Sequence, residues 1–126
     1  MLAIISPAKK LKEKPSITIN KYSFPEFIND ADLLINELRQ LSPSDLEALM
    51  GINRSLAELN YERFMHWTAQ QPENNAHQAI FMFNGHVYQT LDAKSLSESE
   101  LSFAQNHLRI LSGLYGALRP LDLIQP

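Results

Sequence analysis

The chain has 126 residues, of which 44% are hydrophobic and 9% aromatic, and it contains no cysteine. This size and apolar content fit a single soluble domain or a large piece of one. The lack of cysteine excludes disulfides and thiolate metal sites, and makes a cytoplasmic protein the expectation. No apolar run is long enough to span a membrane, and the four histidines lack the spacing of metal ligands, so we expect no membrane segment, no metal and no cofactor.

The net charge of −3 is distributed unevenly along the chain. Residues 1–22 carry +4, and the remainder carries −7. A basic N-terminal arm on an acidic body is a reasonable electrostatic footprint for a polyanion-binding protein, and Lys9 and Lys10 lie in that arm. A solvated lysine-rich loop is the alternative interpretation of the same residues.

The first predicted element is a strand near residues 2–5, a continuous apolar run that ends before Pro7 and is typical of a buried central strand. Ser6 and Lys9 follow it, at the end of the strand where open α/β sheets tend to place ligand sites. Ser6 could serve as a nucleophile or hydrogen-bond donor, and Lys9 as a clamp for phosphate or carboxylate. A plain loop also fits this segment.

A helix is predicted near residues 25–40. Ser23 and Glu26 have the spacing of a capping box, and the apolar residues after them repeat at 3-4-3 spacing. The charged and amide side chains fall off that stripe, as expected of an amphipathic helix with a structural role.

Two short helices joined by a tight turn are predicted next. Ser42 is a favourable N-cap with Pro43 at the first helical position, and this helix should end at Met50 because Gly51 is a natural left-handed stop. Asn53 is the non-glycine residue that best tolerates positive φ. The second helix should start near Arg54 and continue to residue 67, with Ile52 buried between the helices. A shared apolar seam is predicted from Leu46, Leu49, Leu56 and Leu59.

The pattern Leu-x-x-Leu-x-Gly-Ile-x-x-x-x-Ala at this turn resembles the helix-hairpin-helix motif of DNA repair and junction-binding proteins. In that motif, backbone N–H groups of the turn and of the second helix bind phosphate oxygens without reading bases. Asn53 stands where the motif usually has a second glycine. An αα-hairpin packed in a core is the alternative. The candidate DNA-binding residues are Gly51, Ile52, Asn53, Arg54 and Ser55, together with Lys9 and Lys10.

The second half of the chain predicts a buried strand near residues 79–83. The Asn84-Gly85 turn after it can be interpreted as a two-residue hairpin, but the four-residue spacing of Val87 and Leu91 favours a short helix. A capping box at Ser97 and Glu100 predicts a helix near residues 98–106.

A third strand is predicted near residues 108–111. It leads into a loop where Gly113 and Gly116 would allow a ligand or another segment to approach the backbone closely. Arg119 and Asp122 are the polar groups of that loop and complete the set of candidate catalytic residues. We expect the three predicted strands to share one sheet, with the helices near 25–40 and 98–106 packed against it, because all three strands are apolar throughout.

The whole chain resembles the N-terminal half of the YaaA family of peroxide-stress proteins. The motifs that carry the resemblance are Ile5-Ser6-Pro7-Ala8-Lys9, Phe83-x-Gly85-x-Val87-Tyr88, Leu111-Ser112-Gly113-Leu114-Tyr115-Gly116 and Leu118-Arg119-Pro120-Leu121-Asp122. Thr90 and Lys10 depart from the family's usual glycine and threonine. Because the family is about twice this long, we expect a truncated chain with part of its sheet uncovered.

The resemblance implies a mixed α/β (α+β) fold, in which residues 1–126 are the N-terminal portion of a single domain and residues 42–67 hold the helix-hairpin-helix. It also implies non-specific binding to duplex or branched DNA, and protection against peroxide by limiting free iron and DNA damage. Whether the protein is an enzyme stays open. The alternative function is an enzyme that acts on a nucleobase or nucleotide, with a site made by Ser6, Lys9, Arg119 and Asp122 at the strand ends.

Overall fold

The computed structural model describes residues 1–8, 10–12, 21–69 and 76–125. It is a mixed α/β structure, as predicted. The strands are β1 (Ala3–Ile5), β2 (Lys10–Leu11), β3 (His77–Gln78), β4 (Phe83–Asn84), β5 (Leu108–Ser112), β6 (Gly116–Leu118) and β7 (Leu123–Ile124). The helices are α1 (Ile28–Leu38), α2 (Pro43–Met50), α3 (Arg54–His66), α4 (Ala79–Met82), α5 (His86–Leu91), the 3-10 turn η1 (Ala93–Ser95) and α6 (Glu98–His107). None of the helices in the described ranges has both the length and the apolar character needed to cross a bilayer.

The main sheet has three strands in the order β1-β5-β6. β1 and β5 run parallel, with Ile5 opposite Ile110, while β5 and β6 are antiparallel, with Ile110 opposite Leu118. Two short antiparallel pairs, β2 with β4 and β3 with β7, lie outside this sheet.

The core lies on one face of the main sheet. Ala31 and Ile35 of α1 pack there in one cluster with Ile110 and Leu118, and all four are almost completely buried. Trp67, which follows α3, joins the same cluster and its indole N–H donates to the Tyr115 hydroxyl at 2.8 Å. A helix, a sheet face and the end of the hairpin are therefore tied to one apolar centre.

The strand predicted near 79–83 is wrong, because residues 79–82 form α4 and only Phe83 enters a strand. All four α4 side chains are buried. A short apolar run that is buried on every side has no periodicity to separate helix from strand. Tertiary contacts decide instead: the N–H groups of Ala79 and Ile80 donate to the carbonyls of Asp122 and Pro120 at 2.9 and 3.0 Å.

A strand forms near residues 2–5 as predicted, but the prediction that it is buried and central is wrong. β1 pairs with β5 in the same sheet, as expected, but it lies at the edge, and Leu2 and Ile4 are 53% and 61% exposed. The third predicted strand is confirmed as β5.

The helix predicted near 25–40 begins later than expected. α1 starts at Ile28 with Phe27 at the N-cap and no side-chain cap, so the capping box of Ser23 and Glu26 is wrong. Ser23 is recruited by Asp122 instead.

The later helix predictions are confirmed. α6 has its capping box at Ser97 and Glu100. The hydrogen bond from the Ser97 N–H holds the pKa of the Glu100 carboxyl below its usual value. A short helix, α5, follows Asn84-Gly85, and the two-residue hairpin does not form.

Candidate nucleic-acid interface

The first helix of the 42–67 hairpin is fixed by its cap. Ser42 Oγ accepts a hydrogen bond from the Asp45 N–H at 3.2 Å, and the Asp45 carboxylate accepts one from the Ser42 N–H at 3.0 Å. With Pro43 at the first helical position, this reciprocal box sets the start of α2, as predicted. The hydrogen bond from the Ser42 N–H to the carboxylate, with a further contribution from the Ser42 side chain, lowers the pKa of Asp45.

The turn depends on a left-handed glycine. Gly51 has φ 64° and ψ 38°, and its N–H donates to the Glu47 carbonyl at 3.0 Å. Apart from Gly51 and its immediate backbone neighbours, none of the described residues places a heavy atom within 4 Å of the position that a Cβ would take. The requirement for glycine is therefore conformational rather than steric, and the predicted end of α2 is confirmed.

Asn53 performs a different role from the one expected. Its φ is −76°, so the suggested positive φ is wrong, and it is the N-cap of α3. Its side-chain oxygen accepts from the Leu56 N–H at 2.9 Å. Asparagine suits this position because it is among the strongest N-cap residues.

The contact face of the hairpin is narrower than the predicted seam. Leu46 and Ala57 are fully buried, and Ile52 is half-buried between the helices. The other three seam residues are exposed: Leu49, Leu56 and Leu59, at 65%, 45% and 37%. An eight-residue helix presents few side chains to its neighbour, so most of the apolar positions in the hairpin stay uncovered.

The start of α3 is open to solvent. Gly51, Asn53, Arg54 and Ser55 are all exposed. The N–H groups of Arg54 and Ser55 precede the first intrahelical donor, Ala57, whose N–H bonds the Asn53 carbonyl at 3.0 Å. These outward donors at the positive end of the helix dipole are the arrangement that binds phosphate in proteins.

Arg54 lies across the junction of the two helices. Its Nε is 3.2 Å from the Glu58 carboxylate, and its Nη1 is 2.9 Å from Ser44 Oγ and 3.5 Å from the Glu47 carboxylate. The hydrogen bond to Glu58, with a smaller contribution from Glu47, raises the pKa of Arg54. The side chain stays 54% exposed, so a phosphate can reach it by competing with two surface carboxylates.

The lysines of the candidate interface are only partly located. Lys9 lies outside the described residues, and only the backbone of Lys10, in β2 opposite Asn84, is described. Their relation to the hairpin stays a prediction.

Two of the candidate catalytic residues meet in a buried network. The Asp122 carboxylate is fully buried and accepts from the Arg119 N–H at 2.8 Å and from Arg119 Nε at 3.1 Å. It also accepts from the Ser23 hydroxyl, which in turn accepts from the Gln105 amide at 2.8 Å. Sequence reasoning missed Ser23 and Gln105 as members, because no local pattern links positions so far apart.

Ser6 lies in a different neighbourhood. It is exposed, and its carbonyl accepts a 2.5 Å hydrogen bond from the Tyr88 hydroxyl, whose pKa is raised by burial to about 12. Ser6 continues from Ile5 towards the C-terminal end of β5, whereas Arg119 continues from Leu118 towards its N-terminal end. Within the described residues, histidine, aspartate and glutamate do not group in threes at a geometry suited to a metal ion.

The chain that forms this mixed fold matches a protein family along its whole sequence. The family is described as peroxide stress protein YaaA, and the match covers residues 1–126. The chain belongs to this family. It is 50% identical to a UPF0246 protein of Burkholderia orbicola, and 48% identical to UPF0246 proteins of Paraburkholderia phytofirmans and Burkholderia thailandensis.

Each of these alignments covers 100% of the chain and 48% of the relative. The chain therefore spans about half the length of the curated relatives it matches.

Proposed function

We propose that the 42–67 hairpin is a helix-hairpin-helix that binds the phosphate backbone of DNA without sequence preference. The observation that carries this proposal is the exposed turn, where left-handed Gly51 and the Asn53 cap leave the N–H groups of Arg54 and Ser55 facing solvent beside a guanidinium. Groups of this kind bind phosphate oxygens. Because phosphates are the same at every position of a strand, such contacts carry no sequence information.

In the cell, this binding would serve the peroxide response for which the family is described. Our proposal is a cytoplasmic protein that occupies duplex or branched DNA and limits free iron, and so reduces iron-dependent damage to the strands.

The alternative enzyme has weaker support. Asp122 is completely buried, and its two oxygens are already engaged by Ser23 and Arg119. A carboxylate held in this way stabilises the loop and has no accessible oxygen for a substrate. We therefore assign Arg119 and Asp122 a structural role.

The proposal is tested by DNA affinity at several salt concentrations. The measurement uses an extended protein, in which the 126-residue chain is joined to the part of the Burkholderia orbicola relative that the alignment leaves uncovered. Fluorescence anisotropy with two unrelated duplexes gives the slope of log affinity against log salt. Arg54→Ala should flatten that slope by about 0.9, since one phosphate contact is lost, and by the same amount on both duplexes.

Lys94→Ala is the matched control, because Lys94 is an exposed cation on η1, which packs against α4. Its slope should equal that of the unsubstituted protein. Gly51→Val should weaken binding as well, since forcing a β-branched residue into left-handed backbone costs on the order of 1 kcal/mol or more. A folded Arg54→Ala variant with unchanged affinity and slope would contradict the proposed contact.

A further inference from the structure

The main sheet has one bare apolar face. Leu2, Ile4 and Leu111 are 53%, 61% and 47% exposed, and we call their surface the outer sheet face. Side chains alternate along a strand, so Ile4 and Leu111 point away from Ile5 and Ile110, which pack in the core.

This face belongs to a class of sheet that is normally covered. Parallel strand pairs such as β1 and β5 carry apolar residues on both faces because both faces are packed in a complete fold. Among the described strands, β1 pairs only with β5, so its other edge presents unpaired backbone groups beside exposed Ile4. An open apolar edge of this kind accepts a further strand.

The outer sheet face carries one charged residue in β5, and its side chain is engaged by backbone carbonyls. Arg109, which lies opposite Ile4, is the one charged residue of β5, and its Nη1 donates to the carbonyls of Gln105 and Leu108 at 2.8 and 2.9 Å. These bonds draw the guanidinium towards the C-terminal end of α6.

We infer that the outer sheet face and the free edge of β1 form the docking surface for the half of the YaaA polypeptide that has no counterpart in these 126 residues. The relatives carry that additional half, and the chain covers 48% of their length. A second copy of the chain fits less well. Two copies paired edge to edge through β1 would continue the sheet but would leave Leu111, on β5, uncovered.

The test uses the absence of cysteine, which lets a single thiol report on one position. Ile4→Cys and Leu111→Cys are placed in the 126-residue chain and in the extended protein, with any cysteine in the added part changed to serine. Maleimide labelling at both positions should slow by roughly tenfold or more in the extended protein, because a covered thiol is less reactive. Leu33→Cys is the control, since Leu33 is 65% exposed on α1, which packs on the opposite face of the sheet. Its labelling rate should be similar in both proteins.

Equal labelling of Ile4→Cys and Leu111→Cys in the two proteins would overturn the inference. So would slower labelling in the 126-residue chain as its concentration rises, because that result identifies a second copy as the occupant. Circular dichroism confirms that each variant is folded. If the joined protein is unstable, the same cysteines in the full-length relative, at positions aligned with Ile4, Leu111 and Leu33, give the same comparison. The measurement uses no DNA, so its outcome is independent of the proposed DNA binding.

Discussion

The hydroxyl of Ser23 donates a 2.5 Å hydrogen bond to the carboxylate of Asp122, 99 positions further along the chain. The backbone supports the same junction, because the Ser23 N–H donates to the Leu121 carbonyl and the Leu123 N–H donates to the Ser23 carbonyl, both at 2.9 Å. Asp122 thereby fastens the segment that precedes α1 to the segment that follows β6.

Asp122→Asn should lower the free energy of unfolding by about 1.5–3 kcal/mol, since the buried carboxylate accepts charge-assisted hydrogen bonds from Arg119 and Ser23 that a neutral amide makes less well. Urea denaturation monitored by tryptophan fluorescence measures the change. Asp92→Asn is the control: Asp92 is exposed with φ 47°, a conformation that asparagine also tolerates, and its substitution should change stability by less than about 0.5 kcal/mol. Equal midpoints for the two variants would show that the network contributes little.

The cap of α2 should respond to acid. The pKa of Asp45 is lowered in the folded protein by its hydrogen bonds to Ser42, so its stabilising effect is present above the unfolded pKa of about 3.9 and is lost as pH falls through the folded value. Asp45→Asn should therefore melt below the unsubstituted protein at pH 6, and the gap should close below about pH 4. A gap that is the same at every pH would mean that the charge of Asp45 does not act in the cap.

Tyr88 should act at the alkaline end. Burial raises its pKa to about 12, above the ordinary value of about 10, so the folded state holds the proton more tightly. Its contribution is complete below about pH 10 and declines as pH rises from there towards the folded value. Tyr88→Phe keeps the ring but loses the bond to the Ser6 carbonyl, which should cost about 1 kcal/mol at pH 7. Thermal melts from pH 8 to 11 should show a smaller alkaline loss in Tyr88→Phe, and parallel curves would refute this assignment.

Glu58 should restrain DNA binding through its hold on Arg54. Glu58→Gln frees the guanidinium from its nearest carboxylate and removes a negative charge near the proposed phosphate. Because exposed pairs of this kind are worth about 0.2–1 kcal/mol, affinity should rise by a factor of about 1.4 to 5. Glu62→Gln, one turn further along α3 and also exposed, is the matched control for charge alone. Equal gains from both variants would indicate a general electrostatic effect.

Local chemistry explains which predictions held. The starts of α2 and α6 and the left-handed Gly51 were predictable, because a cap or a stop depends on residues within a few positions of each other. The hairpin could be proposed from sequence for the same reason, although its role in binding DNA stays a prediction.

Long-range contacts explain which predictions failed. Ser23 has the spacing of a helix cap, but its hydroxyl donates to the Asp122 carboxylate and does not cap α1. Residues 79–82 are apolar throughout and show no helix or strand periodicity. Their helical form depends on backbone hydrogen bonds to Pro120 and Asp122, which are far away in sequence. β1 has the apolar composition of a buried strand. It is exposed because it lies at the edge of the described sheet, and its own residues do not reveal that position. In the network around Asp122, Arg119 was predictable because it is three residues away. Ser23 and Gln105 were not, because they are distant in sequence and meet Asp122 only in the folded chain.

Backbone N–H groups at the start of α3 are the proposed phosphate ligands, and amide NMR observes those groups themselves. ¹H–¹⁵N spectra of the extended protein are recorded during titration with two duplexes of unrelated sequence. The amide signals of Arg54 and Ser55 should shift as DNA is added, by similar amounts for both duplexes, and should return as salt is raised. DNA binding that leaves these two amide signals unshifted, or that shifts them for one sequence only, would contradict sequence-independent phosphate binding at the start of α3.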